Sequence, residues 1–411
     1  MAVVDDLELP AFDPADPELS GDRWHAAMQE LRATGSWLAQ APLGVLVLDR
    51  HAGEQFLRTR SAIFPGLLLA EIFGISDGPL HEQMTRNIIN INGAAHSRLR
   101  GLVNPALSPR AVERYRPAMR EILTELWEKI DPTAPIDFVR AIAKPYPSRM
   151  IARVMGAPED DAPRLHDWSM WIQRQFDPVA LADEQQRRAI DAKVGEFYAW
   201  VRPLIARRRD TPAEDLISRL IEAEASGDRL DDQELENLVL NILVGGVDTT
   251  QSQLAHAIRL LAAHPAQWAA LRADPAGLAG AAAEEALRYE PITPLTARMM
   301  VEPLEVNGVT FPPNTVVIVC AFAANRDPES ALDPDRFDIL AGRQSARMLT
   351  FGAGVHYCVG ANLARAELTE ALAFLATHVE RLEPAGEPVL QSVSGIYGVD
   401  ELPLRLVPAI V

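Results

Sequence analysis

Apolar residues recur at i, i+3, i+4 spacing through five stretches: Tyr115 to Lys129, Ala189 to Arg208, Asp231 to His264, Ala281 to Tyr289 and Ala361 to His378. That period puts one apolar stripe on one face of an α-helix. Alternating patterns are fewer. Strands are predicted for GVLVLD at 44–49, for ARMMVEPLEVNGVTF at 297–311 with a turn at Asn307-Gly308, and for TVVIVCAF at 315–322. The pattern predicts a mainly α fold with a small β region. The 31 prolines are scattered over helix ends and irregular segments such as DPTAPIDF, and no internal repeat or Gly/Ser linker divides the chain. One domain over 1–411 is expected, although length alone would allow two or three.

One predicted helix carries its own interruption. Asp231 to His264 opens with Asp231 or Asp232 as N-cap, and Leu235, Leu238, Val239, Ile242 and Leu243 share a face. Its middle reads GGVDTT at 245–250, where the two glycines cost about 2 kcal/mol relative to alanine. Close helix packing would account for Gly245 and Gly246, but not for a following aspartate and two threonines. A glycine pair with a hydroxyl competing for a backbone carbonyl kinks a helix and opens a groove for a small molecule.

Charge and cysteine usage exclude several classes. Acidic residues outnumber basic ones, 57 to 39, for a net charge of -18, so nucleic acid and anionic lipid are not expected partners. No apolar run approaches the ~18 residues of a membrane span, and the opening MAVVDDLELPAFDP has no basic, apolar export signal. Cys320 and Cys358 lie far apart with no C-x-x-C pairing, which argues against disulfides or structural zinc and fits a reducing cytoplasm. No G-x-G-x-x-G follows a strand and no G-K-[ST] occurs, so flavin, nicotinamide and nucleotide phosphate sites are not signalled.

Cys358 lies within FGAGVHYCVG at 351–360, just before the helix predicted from Ala361. Unpaired N–H groups and the positive end of the helix dipole favour thiolate there. Gly352, Gly354 and Gly360 remove side chains around it, as expected if something flat approaches the backbone. Local sequence leaves open an inert buried cysteine and a nucleophile with His356 as base.

The pattern F-x-x-G-x-x-x-C-x-G, filled by Phe351, Gly354, Cys358 and Gly360, resembles the haem-binding signature of the cytochromes P-450. The resemblance implies that Cys358 is the axial ligand of a haem b iron. It implies cofactor contacts from Phe351, Gly352, Gly354 and Gly360, and from Gly245 in the interrupted helix. GGVDTT resembles the family's oxygen-binding helix, which makes Asp248 the proton-relay carboxylate and Thr249 the hydroxyl that helps protonate dioxygen. EEALRYEP resembles the family's E-x-x-R, so Glu285 and Arg288, joined by Arg336 from DPDRFD, are expected to form a buried folding element. HSRLR places His96 and Arg100 one helical turn apart, and with Arg298 and His356 they occupy the family's haem-propionate positions. Two departures stand out: NGAAH at 92–96 where many bacterial members carry D-P-P-E-H, and Asn314 where a glycine is common.

The resemblance spans about His96 to Gly360 and implies a triangular, mainly α single domain. It implies a monooxygenase that activates dioxygen to oxidise, typically hydroxylate, a hydrophobic small molecule. It further implies a cytoplasmic monomer that takes electrons from a separate ferredoxin and ferredoxin reductase. An acidic ferredoxin needs a local basic patch, expected from Arg110, Arg114, Arg116, Arg347 and Arg365. The substrate pocket is expected from 61–80, the region Trp168 to Phe176, Leu243 to Val247, Ile292 to Thr296 and 394–398. Three rivals are a peroxide-driven member of the fold, disfavoured by the intact Asp248-Thr249 pair, a non-catalytic haem or ligand-binding protein, and a colourless cysteine-nucleophile hydrolase.

Overall fold

A computed structural model describes residues 2–225, 230–328, 333–341 and 348–409. Helices dominate it, as the periodicity predicts. The stripe at 115–129 forms the helix Arg116–Trp127, that at 189–208 lies in Glu184–Asp210, and that at 281–289 ends Pro275–Tyr289. Ala361–His378 is one helix over the expected span. No helix among the described residues is long and apolar enough to cross a membrane.

The main sheet has five strands in the order Leu38–Ala41, Gly44–Val47, Val316–Cys320, Leu295–Met300, Ala62–Ile63. Gly44–Val47 runs parallel to Val316–Cys320, whose other edge pairs antiparallel with Leu295–Met300, Arg298 opposite Val317. The stretch 297–311 is divided between two sheets, because after Met300 the chain turns into a separate hairpin, Leu304–Val306 with Val309–Phe311. Its turn is where the sequence puts it: Asn307 and Gly308 both have positive φ, 49° and 77°, the geometry that twists with the strands. Asn314 also takes positive φ, 71°, so an asparagine adopts the left-handed turn that leads into Val316–Cys320. Val379–Pro384, antiparallel to Pro403–Pro408, is a further ladder that the pattern did not single out.

Pro275–Tyr289 and Ala361–His378 pack against each other, and their buried faces, rich in alanine and leucine, belong to one core. A buried ion pair orders the ends of this packing. Arg288 donates Nε and Nη2 to the two oxygens of Glu285 at 2.7 and 2.8 Å, with both side chains less than a tenth exposed. The remaining capacity is filled by backbone. Arg288 also donates to the carbonyls of Pro334 at 2.8 Å and Arg336 at 3.0 Å, and Glu285 accepts from Asp338 N at 2.8 Å. Arg336 therefore meets the pair through its carbonyl; its own guanidinium is more than half exposed, 3.7 Å from Asp338.

Because the Glu285 carboxylate is answered by Arg288 and a backbone N–H, removing it strands a buried guanidinium. Glu285→Ala is expected to lower stability by about 3–5 kcal/mol, read by urea denaturation. A loss below about 1 kcal/mol, the range of exposed pairs, contradicts a buried role.

Candidate functional site

The cysteine loop is pinned from behind by residues that the sequence gave no reason to single out. Asn325 donates Nδ2 to Thr350 Oγ1 at 2.8 Å and accepts from Leu349 N at 2.7 Å, while Thr350 Oγ1 donates to Leu287 O at 2.7 Å. The loop is thereby tied to the helix that carries Glu285 and Arg288. Within it, Cys358 N donates to Phe351 O at 3.0 Å. Gly352 and Gly354 have φ of 68° and 71°, a region that side chains disfavour. A Cβ at Gly354 would sit 2.5 Å from Leu57 O, so the chain's own helix Arg50–Arg58 requires this glycine. A Cβ at Gly360 would make only an ordinary contact with Cys358 Sγ, and one at Gly352 none.

Cys358 precedes Ala361–His378 as expected, but its position does not by itself make a thiolate. Burial pushes the thiol up; the N–H groups of Gly360 and Ala361 and the charges of Arg100 and Arg365 pull it back without winning. The sulfur is nonetheless accessible, because its open surface lines an internal cavity. A bound cation on sulfur is what tips such a group to the anion.

Four cationic or imidazole side chains from three elements face the same cavity: His96 and Arg100 from the helix Gly93–Val103, Arg298 from Leu295–Met300, and His356 from the cysteine loop. The His96 and His356 rings lie 4.3 Å apart between centroids. Arg100 donates Nη2 to Tyr357 O at 2.9 Å. Arg298 is 4% exposed, donates to Ala297 O at 2.8 Å, and has no carboxylate partner among the described residues. Burial alone pushes its guanidinium down to about 10. Burial first, then His96, Arg298 and Arg100, hold His356 at about 3, and burial followed by Arg100 lowers His96. A buried guanidinium without an anion is costly. The donor set fits a dianionic group entering the cavity beside Cys358, and the two propionates of a haem meet that demand.

The cavity is about 1010 Å³ and is also lined by the interrupted helix. Asp231 caps it in a full capping box with Glu234. The expected kink is a one-residue break: one helix ends at Gly246, Val247 is distorted within the right-handed region at φ −102°, ψ −71°, and a second helix starts at Asp248. The hydroxyl expected to compete for a carbonyl does so, Thr249 Oγ1 donating to Gly245 O at 2.5 Å. The two glycines serve different ends. A Cβ at Gly246 would lie 2.9 Å from Ile151 Cδ1, whereas one at Gly245 would meet nothing within 4 Å and Gly245 faces the cavity. Asp248, 8% exposed, and Thr249 both line the cavity.

Each segment expected to form the pocket contributes to it, among them Leu69, Met170, Val244, Ile292 and Ile396. Trp168 does not; its indole is buried and donates to Glu196 at 3.0 Å. The wall is less uniformly apolar than the sequence suggests, because Arg174, Asp177, Gln391 and Asp400 join it. Arg174 falls within the expected Trp168 to Phe176 segment; Asp177, Gln391 and Asp400 were missed because isolated polar residues carry no periodic signal.

Two of the four described arginines of the expected basic patch are answered by carboxylates. Arg365 pairs with Glu284 at 2.5 Å, and Arg116 with Glu113 and Glu370 at 2.9 and 3.0 Å. Arg114 donates to Tyr115 Oη at 3.1 Å. Arg110 is exposed with no ion pair among the described residues, and Arg347 lies outside those residues.

Comparison with known proteins bears on this arrangement. The chain matches the Cytochrome P450 family profile over residues 75–276 and 277–387. It is 37% identical over 399 residues to the luteothin monooxygenase of Streptomyces thioluteus, covering 97% of this chain and 96% of that protein. It is 34% identical to the erythromycin C-12 hydroxylase of Saccharopolyspora erythraea, over 87% of each. The crystal structure of CalO2 superimposes with a TM-score of 0.89 at 28% identity, covering 97% of this chain and all of that one. A cysteine loop, a buried cationic cluster and a broken helix on one cavity, in a chain with these relatives, belong to the cytochrome P450 family of haem-dependent monooxygenases.

Proposed function

We propose that the chain is a single-domain, cytoplasmic, monomeric monooxygenase that holds haem b through Cys358 and hydroxylates an amphipathic small molecule with electrons from a ferredoxin and its reductase. The observation that carries this reading is the convergence of Cys358, the anion-seeking Arg298 cluster and Asp248 with Thr249 on one cavity. Bound haem supplies the activation of dioxygen. Arg100 and Arg298, with the His96 and His356 rings beside them, would hold its carboxylates and so set its orientation. Gly245 leaves the cavity open where any other side chain would intrude.

Asp248 and Thr249 handle protons at the helix break. Burial pushes the Asp248 carboxyl up to about 6, with Arg174 pulling it down and Asp400 pushing it up. A carboxyl with a pKa near neutrality exchanges protons in both directions at working pH, which suits a relay. Thr249 is held by its bond to Gly245 O with its hydroxyl oxygen beside the cavity.

The cavity's two kinds of wall define the substrate class. Leu69, Met170, Val244, Ile292 and Ile396 accept an apolar body, while Arg174, Gln391 and Asp400 offer donors and acceptors to a polar end. Relatives named for luteothin and erythromycin chemistry support a natural-product substrate of that amphipathic kind.

For Asp248 the sign of the pH effect follows from its raised value. Between pH ~4 and the folded-state value the native protein holds a proton that the unfolded chain has released, so stability falls as pH rises through that window. Asp248→Asn is expected to abolish this slope, worth up to about 3 kcal/mol above it, and to slow turnover ~100-fold. Unchanged turnover together with an unchanged stability profile of the haem-loaded protein contradicts the relay role.

In a reconstituted system of ferredoxin, reductase and reduced nicotinamide, the haem-loaded protein is expected to consume dioxygen in step with product formation. Activity with hydrogen peroxide but none with the ferredoxin pair overturns the reading. Arg110→Glu is expected to slow reduction by ferredoxin several-fold at low salt and little at high salt, with the haem spectrum unchanged. Equal reduction rates at low salt remove Arg110 from the docking surface.

A further inference from the structure

Asn92 begins the helix Gly93–Val103 and occupies its N-cap position with extended backbone, φ −129° and ψ 171°. Asparagine is favoured there because its side-chain oxygen accepts from a free N–H in the first turn. Asn92 makes no such bond. Its Nδ2 donates instead to Asn90 O at 3.0 Å, which fixes the orientation of the amide. Oδ1 is thereby turned outward, where His356 Nε2 reaches it at 3.3 Å. An amide oxygen only accepts, so Nε2 is the donor and the ring's edge is specified.

His356 is then gripped twice: its edge by Asn92, and its ring by His96 at 4.3 Å between centroids. Both grips come from the start of one helix. We propose that Asn92 is a positioning residue, which gives up capping its helix in order to hold the His356 ring against His96 in the cavity wall that receives the haem. The proposal rests on the haem reading above.

Serine separates capping from positioning. Asn92→Ser supplies a good N-cap hydroxyl but is too short to reach His356, so a capping role predicts no loss and a positioning role predicts one. The readout is the rate of haem transfer from the haem-loaded protein to excess apomyoglobin. Asn92→Ser, and Asn92→Ala as a second variant, are expected to accelerate haem loss about five-fold, equivalent to ~1 kcal/mol at 1.4 kcal/mol per decade. In a His356→Ala background the same changes are expected to alter the rate by less than about 1.5-fold, since the partner is gone. An equal acceleration in both backgrounds, or none in the wild-type background, overturns the proposal while leaving haem binding intact. A wild-type protein that takes up no haem overturns the haem reading and this proposal with it.

Discussion

A charge taken out of water has to be answered, and in this protein the Arg298 guanidinium is buried with no carboxylate partner among the described residues. Arg100, His96 and His356 crowd the same cavity and make the demand stronger. Cys358 stands beside them with its thiol pushed up by burial. One flat group that brings two carboxylates and a metal ion satisfies both demands together. The fold is arranged to keep these groups in place: the Glu285–Arg288 pair and the Asn325–Thr350 bonds join the cysteine loop to two packed helices.

The broken helix is the complementary constraint. A continuous α-helix would satisfy its own carbonyls and present a closed surface. Here Thr249 takes Gly245 O, and Ser169 lies 3.4 to 3.5 Å from the carbonyls of Val244 and Leu243, so the freed acceptors at the break find side-chain donors. Gly246 lets the broken segment press on Ile151 while Gly245 stays bare toward the cavity. Packing on one side and openness on the other thus come from two adjacent glycines.

Much of this was legible from residue order because the features are local. The helix Ala361–His378 follows from its apolar period, the turn at Asn307-Gly308 from its residue types, and the interruption at GGVDTT from propensity. The ionisation of Cys358 was not legible, since helix position argues for thiolate and only the packed surroundings show that burial outweighs it. The reason for Gly354 was likewise hidden, because Leu57 is remote in sequence and adjacent in space. Residue order likewise shows Arg116 and Arg365 but not the carboxylates of Glu370 and Glu284 that meet them. Polar wall residues such as Gln391 and Asp400 lie outside the segments expected to form the pocket and become functional only through the cavity they share.

The central claim is that the sulfur of Cys358 ligates haem iron, and the absorption of the reduced, carbon-monoxide-treated protein tests it most directly. The account predicts the red-shifted, thiolate-type Soret band that gives the family its name, and its loss in Cys358→Ser. A band of the histidine-ligated type in the wild-type protein, or a thiolate-type band that survives Cys358→Ser, contradicts it.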